Sequence, residues 1–394
     1  RGSRASGPML LPNLLVASTA MIRQEMMLGR RSVSHSELLP AFKFPERFYH
    51  QQQLDHFSDS DNRTYSQRFF VNFEHFKPGG PIFINIGGEG PLSALEVSGH
   101  LVNADFAART GGGTISLEHR FYGKSQPFDS LATEHLAYLT SRQALHDLAQ
   151  FQKWFTATNS SFAASPWFCM GGSYPGNLAA WYRVEFPELT SGCWSASGPV
   201  HAQEDWPGFG EKVWEAMSMD SAGNIDHSVS TKLYAGYEQL AGLIQDPTAE
   251  AYQTFAQKFN VCQGALASQG DRDNTEMAIT TYPGLIMQYN NTHAPHLAAL
   301  REIVINATLP LDAALEVSEF LNLTRGSGPG GCTDNSLGSF YKMLMDTSLP
   351  SSGLGNAGRT WTWQTCNEFG YFQTATTKFT KPTLYTRGAS AKSA

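Results

Sequence analysis

The chain has 394 residues, of which 41% are hydrophobic and 16% charged, and its net charge is −7. This balance excludes a disordered polymer and suffices for roughly two structural units. No long basic run is present to meet phosphates, and no uninterrupted apolar stretch reaches the ~20 residues that span a bilayer, so neither nucleic acid nor a membrane span is expected.

Residues 1–45 read as a leader without a regular period. Within it, MLLPNLLVASTAM (9–21) is mildly apolar, follows Arg1 and Arg4, and contains small residues. It reads either as a weak secretory signal starting at Met9 or as an unstructured leader. The opening arginine suggests a fragment or a conceptual translation. From about Gln51 the pattern becomes globular. PIFINI (81–86), bounded by glycine pairs, predicts a buried strand, and TISLE (114–118) predicts another after Gly111-Gly112-Gly113. SRQALHDLAQFQKWF (141–155) predicts a helix with Ser141 as N-cap and Leu145, Leu148, Trp154 and Phe155 near one face. PWFCM (166–170) predicts a third strand. Residues 177–186 predict a helix ended by Pro187, and SGCWSAS (191–197) a fourth strand. Strands alternating with helices argue for a parallel α/β sheet. From about 205 to 330 the spacing turns helical, GSGPGG (326–331) reads as a break, and TRGASAKSA at the end reads as disordered.

The chemistry centres on FCMGGSYPGNLAAW (168–181), an apolar run leading through glycines and Ser173 into a helical stretch. A serine hydroxyl is a poor nucleophile unless a base and oxyanion donors accompany it. The α/β-hydrolase arrangement holds such a serine on a sharp strand-to-helix turn flanked by small residues. Ser173 is the candidate nucleophile, and the Tyr174 N–H a candidate oxyanion donor at a helix N-terminus. The motif departs from G-x-S-x-G in having Pro175 where glycine is usual, with Gly176 one place later. Proline suits a first helical turn, but the close approach must then be managed differently. IGGEGP (86–91), after the first predicted strand, offers Gly88 or Glu89 as the second oxyanion donor. It lacks the Gly-Lys-Ser/Thr of a phosphate loop and the third glycine of a dinucleotide fingerprint.

The cysteines at 169, 193, 262, 332 and 366 show neither CxxC nor zinc-ligand spacing. In a secreted chain the last three would supply disulfide bonding and leave one thiol over; the odd count also fits a chain that has lost a partner cysteine. Sequons at Asn62, Asn159, Asn290, Asn306 and Asn322 are candidate glycosylation sites and tilt the reading toward the secretory pathway.

QLDHF (53–57), QRFFVN (67–72), GGEGP (87–91), SLEHRFYGKSQP (116–127), ALHDLAQF (144–151), GGSYPGNLAAWYR (171–183) and WQTCNEFGYFQT (363–374) together resemble one family of serine peptidases. It is the family of lysosomal Pro-Xaa carboxypeptidase, dipeptidyl-peptidase II and thymus-specific serine protease. MQYNNTHAPHL (287–297) is most similar to the thymus-specific branch. The resemblance implies an α/β-hydrolase-type, mostly parallel sheet with an inserted helical cap. The leader would occupy 1–45, the nucleophile-bearing part 46–204, the cap 205–355 and the return to the hydrolase domain 356–394. It implies exopeptidase cleavage of a peptide substrate, often after proline or small residues, in lysosomes, endosomes or outside cells. It identifies Ser173 with the family nucleophile and implies no metal or organic cofactor. A second copy of the chain is a further expected partner. The family varies at the place of Pro175 and includes proline there. The EHRFYG block (118–123) is expected to be a buried, charge-paired support.

Two family blocks are not found, one resembling NGxxDPW with the triad aspartate and one resembling GxHC with the histidine. His201, His227, His293, His296, Asp205 and Asp334 are not expected to replace them. The expectation is a chain truncated before its base, with a catalytically inactive peptide-binding protein as one alternative and an esterase or lipase on the same fold as another.

Overall fold

The computed structural model describes residues 43–386 except 100, 247, 249, 289–295, 322, 325–328, 350–355, 375–382 and 385. Nearly all of the expected leader and of the last segment, and part of the GSGPGG break, lie outside the described residues. The described residues divide into two compact units, one of 43–202 with 345–369, the other of 203–344 with 370–386.

The first unit is built on six strands: β1 (Arg47–Gln53), β2 (Thr64–Asn72), β3 (Ile82–Ile86), β4 (Gly113–Leu117), β5 (Trp167–Gly172) and β6 (Gly192–Ala196), in the order β1-β2-β4-β3-β5-β6. β1 and β2 run antiparallel, and β2 is antiparallel to β4, while β4, β3, β5 and β6 are mutually parallel. Every residue of β4 is buried, which is why the central parallel strands read as continuous apolar runs. In register, Ile84 lies between Ile115 and Cys169. Helices α1 (Val102–Thr110), α2 (Ser141–Ala157) and α3 (Tyr174–Glu185) connect the strands. α2 buries Leu145, Leu148, Phe151 and Phe155; its ring of Phe151 meets Phe69 of β2 edge-on at 5.0 Å. The α2 cap is Thr140, not Ser141: its side chain accepts from Gln143 N–H. This strand order with a sharp bend after β5 is that of an α/β-hydrolase.

The second unit is helical, comprising α4 (Gly208–Ser218), α5 (His227–Gln245), α6 (Glu250–Lys258), α7 (Gln269–Gln288), α8 (His296–Asn306), α9 (Pro310–Phe320) and α10 (Leu337–Met345). Its core gathers Leu233, Tyr237, Leu240, Ile244, Leu300 and Val317. Gly236 lets α5 and α9 close up, since a Cβ there would lie 2.0 Å from Pro310 O. Two short parallel strands, β7 (Gln203–Asp205) and β8 (Gly370–Phe372), pair in the same unit. α11 (Ala357–Gln364) and a π-helical turn (Thr365–Phe369) belong to the sheet-bearing unit.

The cysteines correct the reading from spacing. Cys262 and Cys332 are joined and Cys366 is an exposed free thiol, as the last three residues suggested. Cys169 and Cys193 form a second disulfide. They are register partners on β5 and β6 with Cα atoms 4.4 Å apart, a proximity that only strand pairing creates.

Candidate active site

Ser173 stands where β5 ends and α3 begins, with its backbone at φ 61° and ψ −131°. A side chain at such a positive φ carries about 1–3 kcal/mol of strain, which the surroundings must impose. Ser173 N–H donates to Ala196 O on β6 at 3.0 Å, and Ser173 O accepts from Gly176 N–H at 2.8 Å and Asn177 N–H at 3.2 Å. The backbone is therefore pinned while the residue stays exposed to solvent. Tyr174 opens α3, so its N–H is one of the donors a helix leaves unpaired at its positive end.

Glycines carry the close approach. A Cβ on Gly171 would lie 2.1 Å from Pro175 O, and one on Gly176 would lie 2.9 Å from Ala196 O. Pro175 is tolerated in the second position of α3 because its ring covers Gly88, where a Cβ would fall 2.3 Å from Pro175 Cγ. The helix thus begins at Tyr174, three residues earlier than periodicity predicts, and the GGEGP loop lies against its first turn. Gly88→Ala is expected to destabilise the fold by about 1–3 kcal/mol through that overlap. Pro175→Gly in the same background should return most of the loss in denaturant melts; a double variant as unstable as the single one would show that the ring is not the obstacle.

Behind the bend lies a hydrogen-bond chain with one permitted direction. Tyr122 OH donates to Gln364 Oε1 at 2.7 Å, and Gln364 Nε2 donates to Tyr174 OH at 3.0 Å. Tyr174 OH donates to His119 Nε2 at 2.8 Å, and His119 Nδ1–H donates to Arg120 O at 2.7 Å. His119 is therefore neutral, and burial lowers its pKa to about 4. Beside it, Asp147 on α2 accepts from Arg120 Nε and Nη2 at 2.7 and 2.6 Å, from Tyr65 OH at 2.9 Å and from Gln52 Nε2 at 2.8 Å. His56 Nε2 donates to the same carboxylate at 2.7 Å. Burial works to raise the Asp147 pKa, but Arg120 and His56 hold it below the ordinary carboxylate value. Glu118 is likewise buried and takes Arg68, Ser125 Oγ and the N–H groups of Leu92 and Lys124. The EHRFYG block is thus a buried, charge-paired framework. Gln364, Asp147 and His56 were not singled out from the sequence; the only signal was their presence inside blocks of the resemblance.

Glu89 is partly exposed, and burial raises its pKa. Asn62, Asn159 and Asn306 are exposed, whereas Asn290 and Asn322 lie outside the described residues. Asn159 Oδ1 accepts from Ser161 N–H at 2.9 Å. His227 is bonded to Ser218 Oγ at 3.1 Å, Asp334 accepts from Ser336 N–H at 3.0 Å, and Asp205 accepts from the Thr374 hydroxyl. His201 is exposed. His293 lies outside the described residues, and His296 is the first residue of α8. Within the sheet-bearing unit, no described His, Asp or Glu hydrogen-bonds the Ser173 hydroxyl.

The model of the serine carboxypeptidase S28 family matches residues 52–386. A Caenorhabditis elegans protein, K12H4.7, is 33% identical over 342 residues, which are 84% of this chain and 64% of that protein. The thymus-specific serine protease of Mus musculus is 32% identical over 339 residues, 84% of this chain and 65% of the relative. The lysosomal Pro-X carboxypeptidase of Mus musculus is 37% identical over 157 residues, 39% of this chain and 32% of the relative. The chain thus spans just under two thirds of the length of the first two relatives.

Proposed function

The chain belongs to the serine carboxypeptidase S28 family, and from that premise we propose that it works as a serine exopeptidase with Ser173 as nucleophile. Ser173 Oγ attacks the scissile carbonyl carbon and loses its proton to a base. The carbonyl oxygen takes up the negative charge, and the N–H groups of Tyr174 and of Gly88 or Glu89 receive it. Collapse expels the amine and leaves an acyl-enzyme that water hydrolyses. The exposed serine on a strained strand-to-helix bend carries this reading. The glycine loop held against that bend by Pro175 supports it.

A peptide in reach of this bend is the proposed substrate, with preference for cleavage after proline or small residues as in the family resemblance. The two disulfides fit an oxidising compartment, in line with a secretory route ending in lysosomes or outside the cell. No described helix is long and apolar enough to cross a membrane. A second reading, a protein that binds peptides without turning them over, is favoured by the Ser173 hydroxyl having no His, Asp or Glu hydrogen-bond partner among the described residues.

The two part on one experiment. The folded chain is treated with a fluorophosphonate beside Ser173→Ala. Labelling that depends on Ser173 is the expected result for the peptidase; folded protein that takes no label at this serine leaves binding alone.

A further inference from the structure

The helical unit holds one sequon in a turn that is fixed in its backbone and open to water. Asn306 ends α8, and residues 307–309 lead directly into α9. Ala307 is buried in the core of this unit at 7% exposure, while Asn306 and Thr308 on either side of it are exposed. Ala307 N–H donates to Ile303 O at 3.0 Å, and Lys232 Nζ donates to the carbonyls of Ile305 and Ala307. Leu309 N–H donates to Asp312 Oδ2 at 3.2 Å. Among the described residues the Asn306 carboxamide itself makes no hydrogen bond.

Both ends of this turn carry an aliphatic side chain in water. Ile305 is 56% and Leu309 58% exposed, and neither belongs to the core that takes Ala307. A single exposed apolar residue is ordinary on a protein surface. Two on one short turn, one directly before the asparagine and one three places after it, make a surface that calls for a cover. The other exposed sequons lack this setting. Asn62 and Asn159 have no exposed large apolar side chain within four positions. Asn159 also uses its carboxamide oxygen to accept from Ser161 N–H within its own sequon.

We propose that Asn306 carries an N-linked oligosaccharide whose first sugars lie over Ile305 and Leu309. It does not depend on the chemistry at Ser173. The co-substrate is an oligosaccharide joined through its anomeric carbon to a lipid diphosphate, which the secretory pathway supplies. The Asn306 carboxamide nitrogen forms a bond to that carbon and gives up one proton. The carbon–oxygen bond to the diphosphate breaks, and the lipid diphosphate leaves with the electron pair. Thr308 completes the acceptor motif. The exposed position at a helix end takes the added bulk without repacking the core. A sugar ring has an apolar C–H face and a rim of hydroxyls, so it screens the two aliphatic side chains and keeps the surface soluble.

The test produces the full chain through the secretory pathway of a eukaryotic cell, behind a cleavable leader. Its peptides are mapped by mass spectrometry before and after a glycosidase that leaves aspartate where a glycosylated asparagine stood. The expected result is an oligosaccharide on Asn306. Asn306→Gln and Thr308→Ala should each lose it, and Thr308→Ser should keep it. The wild-type map stands even where a variant fails to fold. In sedimentation, Asn306→Gln and Thr308→Ala are expected to self-associate more than the glycosylated chain. Adding Ile305→Ser and Leu309→Ser to Asn306→Gln should remove the excess. A chain carried through the pathway with Asn306 unmodified overturns the assignment, whichever other sequons are occupied. A glycan on Asn306 whose loss leaves association unchanged overturns the screening of Ile305 and Leu309.

Discussion

Arg120→Met is expected to cost about 3–5 kcal/mol of folding stability, enough to leave a marginally stable domain largely unfolded. Arg120 is fully buried, and each face of its guanidinium is used. Nε and Nη2 grip Asp147, Nη1 donates to Leu54 O and Tyr138 O at 2.9 Å, and Nη2 also reaches Gln53 O at 3.3 Å. One side chain thereby ties the end of β1, the turn before α2 and α2 itself to the EHRFYG segment. Methionine fills a similar volume but takes the guanidinium counter-charge from Asp147, which keeps only Tyr65, Gln52 and His56, and leaves three carbonyls without their Arg120 donor. The penalty is that of an orphaned charge, not of a lost attraction. The double variant Arg120→Met with Asp147→Leu should therefore be more stable than Arg120→Met alone, and urea midpoints decide it. A double variant that is additively worse would mean that packing around the guanidinium, and not the stranded carboxylate, sets the cost.

Acidification should remove about 3 kcal/mol of stability between pH 8 and pH 4 through His119 alone. Unfolded, its imidazole has the ordinary value of about 6.5; folded, burial holds it to about 4. The unfolded chain then binds the proton more readily over that interval. The contribution is fully present above about pH 6.5 and is lost as the pH falls toward 4. The cause is visible in the bonding. A proton on His119 Nε2 would meet the hydroxyl hydrogen of Tyr174, and that hydroxyl already accepts from Gln364. His119→Gln should flatten the pH dependence by that amount when its urea midpoints are compared with wild type at both ends of the range. Equal slopes in the two proteins would show that His119 titrates normally or that other groups dominate. Since Tyr174 follows Ser173, Ser173 labelling of the folded chain should decline only near pH 4, where the folded imidazole itself takes up a proton.

The parallel strands were legible as short apolar or β-rich runs between turn residues, most of them buried, although β6 has no fully buried residue. The strands expected at 81–86, 114–118, 166–170 and 191–197 stand at Ile82–Ile86, Gly113–Leu117, Trp167–Gly172 and Gly192–Ala196. β1 and β2 escaped the reading. β1 is RFYHQQQ, with Tyr49 and Gln52 its only buried positions, so its sequence lacks an apolar run. Its place depends on pairing with β2. Ser141 looked like a helix cap because its type suits one. Thr140 takes that role, and Ser141 is instead held by Glu368, 227 residues further along. The proline that seemed to obstruct the bend is accommodated by Gly88 from a different loop.

What the sequence determined by itself is the bend and the family. A strand, paired glycines, a serine and a helix-compatible proline lie next to one another in the chain, and local sterics act among neighbours, so the fourteen-residue stretch 168–181 was enough to place an exposed serine on a strained turn. Only the tertiary structure decided the partners that hold it. Tyr122 meets Gln364 across 242 positions and Arg68 meets Glu118 across 50, while Cys193 finds Cys169 through strand register. Long-range pairings depend on which side chains the packed sheet brings within about 3 Å, and many combinations of the same residue types satisfy composition and spacing equally.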